Sequence, residues 1–361
     1  VFALPWSSIR FRVAEGWRIR ARRWLLSARN CPLTRRFTVI AWTCAVLLLA
    51  VDMAWLAWSS LRFDPANWRL LASLVAIAML ARATMLLLAD RAARGRTRRL
   101  LLRGLGRKSR LLWRAGVQLV LIFVVFLVFT YLATATSLPL RDDALVAIDR
   151  RLGFDWPAFL AFANARPYLA AALSLSYHSG GPVLFAIVIW LALAEQEARL
   201  AELSAILALT FVGFAVGMVA VPTVGAFAYF APSEPQFNNF AEVSQMWPFY
   251  RTFAALRDGS LRVIELAVAD GIVGFPSFHA ALAVITVWAV RGYRMLFWPV
   301  LVLDVLMMVA VLPVGGHHLA ELIAGALTAA SAIVVVRIVA TRLRPASDAE
   351  PAMMRNAVAR T

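Results

Sequence analysis

Two short stretches carry residue types that do chemistry. The first is Gly274-Phe275-Pro276-Ser277-Phe278-His279, where a long polar segment gives way to an apolar run. Pro276 suits a first helical turn, because the N–H it lacks would have no partner there. A helix opening here presents free N–H groups and the positive end of its dipole beside Ser277 and His279, an arrangement that attracts anions. The second is Gly315-Gly316-His317-His318-Leu319-Ala320-Glu321, which opens another apolar run. A spacing of four puts His317 and Glu321 on one helix face. The carboxylate can hold one ring N–H and leave the other nitrogen free to attack. His279, from a different helix, can serve as the second acid/base. A phosphoryl group held between two such helix heads asks mainly for positioning and charge neutralisation. Ser277 reads equally as a phosphate contact or as an N-cap. Gly316 borders the nucleophile candidate. His318 is turned about 100° from His317 and is either a further contact or a packing residue. One histidine at a helix end is ordinary; two, one with a carboxylate four residues on, point to a site.

The elements that must position these residues are membrane spans. The chain has 361 residues, is 62% hydrophobic and has a mean hydropathy of +0.74. Its apolar runs are long enough to cross about 30 Å of hydrocarbon. The net charge of +17 does not indicate nucleic acid, since no basic stripe is interleaved with aromatics. Two cysteines, Cys31 and Cys44, imply no disulfide framework. No removable signal segment is apparent at the start.

Eight spans are expected, near Phe37–Trp58, Leu70–Ala89, Gly116–Leu138, Tyr168–Ala194 (interrupted at Gly180-Gly181-Pro182), Leu203–Val221, Pro276–Val290, Leu296–Val314 and His317–Val336. Before them, residues 1–36 form a basic segment whose Phe11–Leu26 part reads as a membrane-surface helix or a basic tail. Leu145, Ile148, Leu152 and Phe154 suggest a short amphipathic helix at the interface within Leu140–Pro167. The polar stretch Thr223–Gly274 is long enough to be functional. Asp52 and Asp304 fall inside spans, where a charge costs roughly 2.5–3.5 kcal/mol. A hydrogen-bonded or protonated carboxyl explains them, as does a proton pathway. Arg82 lies near a span end and can snorkel.

Charge then orients the spans. One side holds 27 Lys or Arg and the opposite side nine, which marks the basic side, with both termini, as cytoplasmic. His279 and His317 then share the other face. His178 is expected on that face too, either lining the site or satisfied at the interface. An excess of 36 arginines over one lysine suggests a GC-rich bacterial source, so the site would face the periplasm across the inner membrane.

Pro276-Ser277-Phe278-His279 resembles the P-S-x-H motif of the type 2 phosphatidic acid phosphatase superfamily. Gly316-His317-His318-Leu319-Ala320-Glu321-Leu322-Ile323-Ala324-Gly325 resembles its G-H-x-x-x-D-x-x-x-G motif. Leu152-Gly153-Phe154-Asp155-Trp156 and Leu256-Arg257-Asp258-Gly259 are similar to bacterial members of the inositol phosphorylceramide synthase branch. The resemblance covers roughly Asp142–Arg342. It implies His317 as nucleophile forming a phosphohistidine, Glu321 as its orienting group, His279 as general acid and Ser277 as a phosphate contact. Three departures stand out. Glu321 replaces the usual aspartate, Val311 occupies the usual arginine position, and the K-x-x-x-x-x-x-R-P motif is absent. The only lysine, Lys108, is on the cytoplasmic side. Arg251, Arg257 and Arg262 are on the site's side, and Arg257 is favoured as the phosphate cation.

The expectation is therefore an all-α polytopic membrane protein, with residues 1–36 a basic segment, 37–115 two extra helices and a basic loop, 116–342 a six-helix catalytic domain, and 343–361 a tail. It would transfer a phosphoryl-alcohol head group, such as phosphoinositol, between a lipid and an alcohol, or use water and act as a phosphatase. No metal and no cofactor is required. Rival readings are a transporter or scaffold, resting on Asp52 and Asp304, and a haem protein using paired histidines.

Overall fold

The computed structural model describes residues 32–92, 95–233, 236–240, 246–269 and 271–342. The basic segment before Pro32, with Cys31 and the Phe11–Leu26 stretch, lies outside the described residues, as does the tail 343–361. The architecture is an all-α multi-pass membrane protein. In chain order its helices are α1 (Pro32–Trp58), α2 (Ala66–Ala92), α3 (Gly95–Thr134), α4 (Asp142–Arg151), α5 (Trp156–Asn164), α6 (Pro167–Leu193), α7 (Glu197–Ala220), α8 (Ala226–Phe230), α9 (Met246–Asp258), α10 (Phe278–Val290), α11 (Arg294–Ala310) and α12 (Leu319–Arg342). Two-residue strands β1 (Arg62–Phe63) and β2 (Val263–Ile264) pair in parallel.

Six helices are apolar and long enough to cross a membrane: α1, α2, α3, α6, α7 and α12. The other two expected spans form the shorter hairpin α10–α11, of 13 and 17 residues. At 1.5 Å per residue α10 rises only about 20 Å. It starts late because Ser277 is extended and serves as its N-cap, with Pro276 ahead of the cap rather than in the first turn.

Several boundaries differ from expectation for identifiable reasons. The basic stretch before span 3 is helical and continuous with it in the 40-residue α3, as suits arginine and leucine, both good helix formers. Helix α6 runs unbroken through Pro182, and Gly180 lets it pack closely; a Cβ there would lie 2.8 Å from Met307 Sδ. The amphipathic segment is two helices. The buried face of α4 carries Asp142, Leu145, Val146 and Asp149, whereas Ile148 and Leu152 are exposed. Asp155 caps α5 by accepting the Ala158 N–H at 2.8 Å. His317 and His318 precede α12 rather than begin it.

The core centres on α7, most of whose residues are buried. Phe126 of α3 stacks on Phe211 of α7 at 4.1 Å between centroids, and Phe278 packs on both Phe211 and Phe214. Helix α2 packs mainly on α3 and has no buried residue in its apolar window. Asp304 accepts a hydrogen bond from Thr286 at 2.6 Å. Asp52 is buried with no partner for either oxygen, and Nε of Arg82 is likewise unpartnered.

The two ends of the bundle are distinct. At one end Arg36 donates to the Ala340 carbonyl (2.9 Å) and Arg199 to the Arg291 carbonyl (2.6 Å). Glu202 accepts from Arg291 and Arg337 there. The start of α1 and the end of α12 therefore lie together, as an even number of crossings requires. At the other end α4, α5, α8 and α9 form a cap. Trp156 stacks on Phe230 and donates to the Leu312 carbonyl at 2.9 Å, which pins the α11–α12 turn.

Gly325 of α12 is the tightest junction between the two chemical stretches. A Cβ at this position would come to 2.2 Å from the Ser277 carbonyl oxygen. Backbone cannot swing aside as a flexible side chain can, so Gly325→Ala should cost about 1–3 kcal/mol. The expected outcome is a thermal midpoint several degrees below wild type for the detergent-solubilised protein, with activity reduced in parallel.

Candidate functional site

His317 and Glu321 meet as their spacing suggests, although His317 sits in the turn before α12. Nδ1 of His317 lies 2.8 Å from Oε2 of Glu321. The same oxygen accepts the His318 N–H at 3.0 Å, and Oε1 accepts the Thr223 hydroxyl at 2.5 Å. Glu321 is completely buried, so these three donors satisfy a carboxylate that water does not reach. An acceptor on Nδ1 assigns the proton to that nitrogen and leaves Nε2 as the free lone pair. Gly316 makes the turn possible with φ +63°, and its carbonyl accepts the Phe227 N–H at 3.1 Å.

The main-chain carbonyl of Glu321 also accepts the Ser277 N–H at 3.0 Å. The head of α10 is thereby tied to the first turn of α12, and His279 and His317 come to line one cavity of about 440 Å³. Tyr177 of α6 stacks on the His279 ring at 4.0 Å between centroids. Gly315 lies between Tyr177 and His317, where a Cβ would approach them to 2.9 Å and 3.0 Å. His178 lines the same cavity, with Nδ1 held 2.8 Å from the Ser174 carbonyl.

The rest of the lining is apolar, with Phe123, Phe126, Phe211 and Phe278 prominent; Thr130 adds one hydroxyl. Among the described residues that line it there is no lysine or arginine. Arg257, the expected phosphate cation, instead donates to the Leu138 carbonyl at 2.7 Å and lines a separate pocket of about 20 Å³ behind Thr223. Arg262 turns its Nε to the Gly259 carbonyl (3.0 Å). Arg251 is exposed and lines neither cavity. All three are on the site's side of the bundle, and local carbonyls of the cap engage two of them.

Ser277 is completely buried, its N–H is used by Glu321, and its hydroxyl has no partner. Its side chain does not line the cavity. His318 is likewise off the cavity. It is fully buried between two carboxylates, with Nε2 3.3 Å from Asp142 and Nδ1 3.5 Å from Asp149. Asp149 accepts the Leu319 and Ala320 N–H groups at 3.0 and 2.9 Å. Asp142 accepts those of Val224 and Gly225. A carboxylate on the first N–H groups of α12 also suits the helix dipole. This cluster holds the turn behind the nucleophile candidate. Asp142 and Asp149 were legible as one helix face, seven residues apart; Thr223 and Tyr177 carried no signal.

Residues 143–335 match the PAP2 superfamily. The match spans more than half of the chain, and the chain belongs to that superfamily. Membership supports a lipid phosphatase or phosphotransferase-type activity on phosphate-bearing lipids. No curated protein and no solved structure gives a significant match to the chain.

His318 lies outside the spanning helices and makes a pH prediction. Burial pushes its pKa down, but the flanking Asp142 and Asp149 carboxylates outweigh that and raise it to about 9. Its imidazolium therefore contributes stability that is full below about pH 6.5, the ordinary histidine value. That contribution fades as the pH rises through about 9. The thermal midpoint of wild type should fall over this window, and His318→Gln should start lower and flatten that part of the profile.

Proposed function

We propose that the chain is a metal-independent phosphotransferase that moves a phosphoryl-alcohol head group from a lipid phosphodiester to an alcohol acceptor. The observation that carries this reading is the His317–Glu321 pair sharing an apolar cavity with His279, with no lysine or arginine among the described lining residues. A phosphomonoester brings up to two charges at neutral pH and a diester only one. A site with imidazoles and no fixed cation among the described lining residues, and with an aromatic wall for lipid tails, suits the diester better.

In this mechanism Nε2 of His317 attacks phosphorus. The N–P bond forms, the P–O bond to the lipid alcohol breaks, and that oxygen takes a proton from the His279 imidazolium. Neutral His279 then removes the proton from an incoming hydroxyl, whose oxygen displaces His317 and restores the free imidazole. Glu321 stabilises the His317 ring as positive charge develops on it. His178 supplies a third imidazole beside the phosphoryl oxygens. Tyr177 fixes the plane of His279.

The similarity of Leu152–Trp156 and Leu256–Gly259 to bacterial members of the inositol phosphorylceramide synthase branch supports transfer, with phosphoinositol as the first head group to try. Lipid phosphate hydrolysis remains the alternative, since water fits wherever a small alcohol does. The 27-to-nine bias of basic residues supports a cytoplasmic basic end and a periplasmic site. We assign residues 116–342 as the catalytic domain and α1 and α2 as an addition to it.

Purified protein incubated with labelled lipids should turn over a phosphodiester lipid faster than phosphatidic acid, and added inositol or other alcohols should appear in the product. Faster turnover of phosphatidic acid, with release of inorganic phosphate alone, would reject the transfer reading. His317→Ala should abolish turnover and the acid-labile phosphoenzyme. His279→Ala and Glu321→Gln should each lower kcat by about 10²–10⁴. Full activity in any one of them removes that residue's role.

A further inference from the structure

A second cavity, of about 190 Å³, lies between α1, α3 and α7 at the end of the bundle away from His317. Three polar groups from three different helices line it: Thr34 Oγ1, Gln118 Nε2 and Ser204 Oγ. Each is buried, and none has a hydrogen-bond partner. Gln118 is 6% exposed and Ser204 1%. An unsatisfied buried group costs about 1–3 kcal/mol, so three such groups on residues lining one cavity favour an occupant that accepts hydrogen bonds after a small side-chain turn. Arg114 also lines the cavity, in an exposed pair with Glu197 at 3.5 Å. Arg107, Arg110 and Arg114 recur on one face of α3 by their spacing. Glu197, Trp42 and Trp113 are also among the lining residues, so the carboxylate offsets part of the Arg114 charge, and tryptophan favours the membrane–water interface. From Thr34 to Trp42 the site reaches about 12 Å along α1 from its head, the depth of a phospholipid head group and its ester linkages.

We propose that this cavity binds the head group of an anionic phospholipid from the leaflet at the arginine-rich end. Gln118, Ser204 and Thr34 donate to its phosphate and ester oxygens, and Arg114 supplies the countercharge. The acyl chains run along the exposed apolar side chains of α1, such as Val39 and Val46. Basic pockets between helices at a membrane surface hold anionic head groups in this way. Helix α1 lies outside the stretch that matches the superfamily, so one wall of the site is contributed by an added helix. Water molecules could satisfy the same three groups, but water would not discriminate among lipids by charge.

The test uses the full chain in nanodiscs of phosphatidylcholine with or without phosphatidylglycerol, read by thermal midpoint and by the lipid retained in native mass spectrometry. Phosphatidylglycerol should be retained with roughly tenfold preference and should raise the midpoint. The double variant Ser204→Ala/Gln118→Leu should lose both effects. Arg114→Gln, at the exposed rim and safe for folding, should lose most of the preference. Equal retention of the two lipids, or an undiminished preference in these variants, would overturn the proposal and leave water as the occupant. Equal stabilisation of the detergent-solubilised protein by inorganic phosphate alone would overturn the lipid assignment in favour of a free-anion site.

Discussion

One buried carboxylate organises the site. Glu321 receives His317, the His318 N–H and the Thr223 hydroxyl on its side chain, and the Ser277 N–H on its main-chain carbonyl. Hydrogen bonds to an ionised group contribute about 1.5–3 kcal/mol each, and a buried carboxylate missing one costs more than the bond itself. Its partners come from the end of α7, the head of α10 and the turn before α12. Moving any of these segments would leave the charge short of a donor. The requirement to satisfy one acid thus fixes the relative position of three parts of the chain far apart in sequence.

A second layer of acids supports the first. Asp142 and Asp149 sit one above the other on the buried face of α4, and each engages backbone N–H groups as well as His318. His318 is therefore a structural cation inside the cap, adjacent in sequence to the nucleophile candidate but facing the other way. The division is economical in geometry. One histidine of the pair turns its Nδ1 to Glu321 and leaves Nε2 free, while the next is held charged by two carboxylates.

How much of this could be read beforehand depended on how local the signal was. The spans were legible because hydropathy is a property of each run alone. The His317–Glu321 contact was legible because a separation of four brings side chains together in a helix and, here, in the turn leading into it. That His279 joins them followed from counting crossings. His318 was the opposite case: its angular offset said that it leaves His317, but its partners lie about 170 residues earlier, beyond any local pattern. Thr223 looked like an ordinary residue after a proline at a helix end. Topology reports which side an arginine is on and says nothing of which carbonyl its guanidinium will find. Arg257 shows this most clearly, since it lies one wall away from His317 and Glu321, behind Thr223.

The placement of charge bears on the chemistry as a whole. Thirty-seven basic residues serve the chain, yet none of the described ones lines the cavity that holds three histidines. A fixed guanidinium would bind an anion equally in the ground state and the transition state. An imidazole that gains and loses a proton during the reaction concentrates its positive charge at the moment the leaving oxygen needs it. Such a site gives up ground-state affinity for a dianion and keeps the differential term that accelerates bond breaking. In an apolar chamber, where charge is costly to hold and strongly felt once present, that exchange would favour the singly charged diester of the proposed reaction.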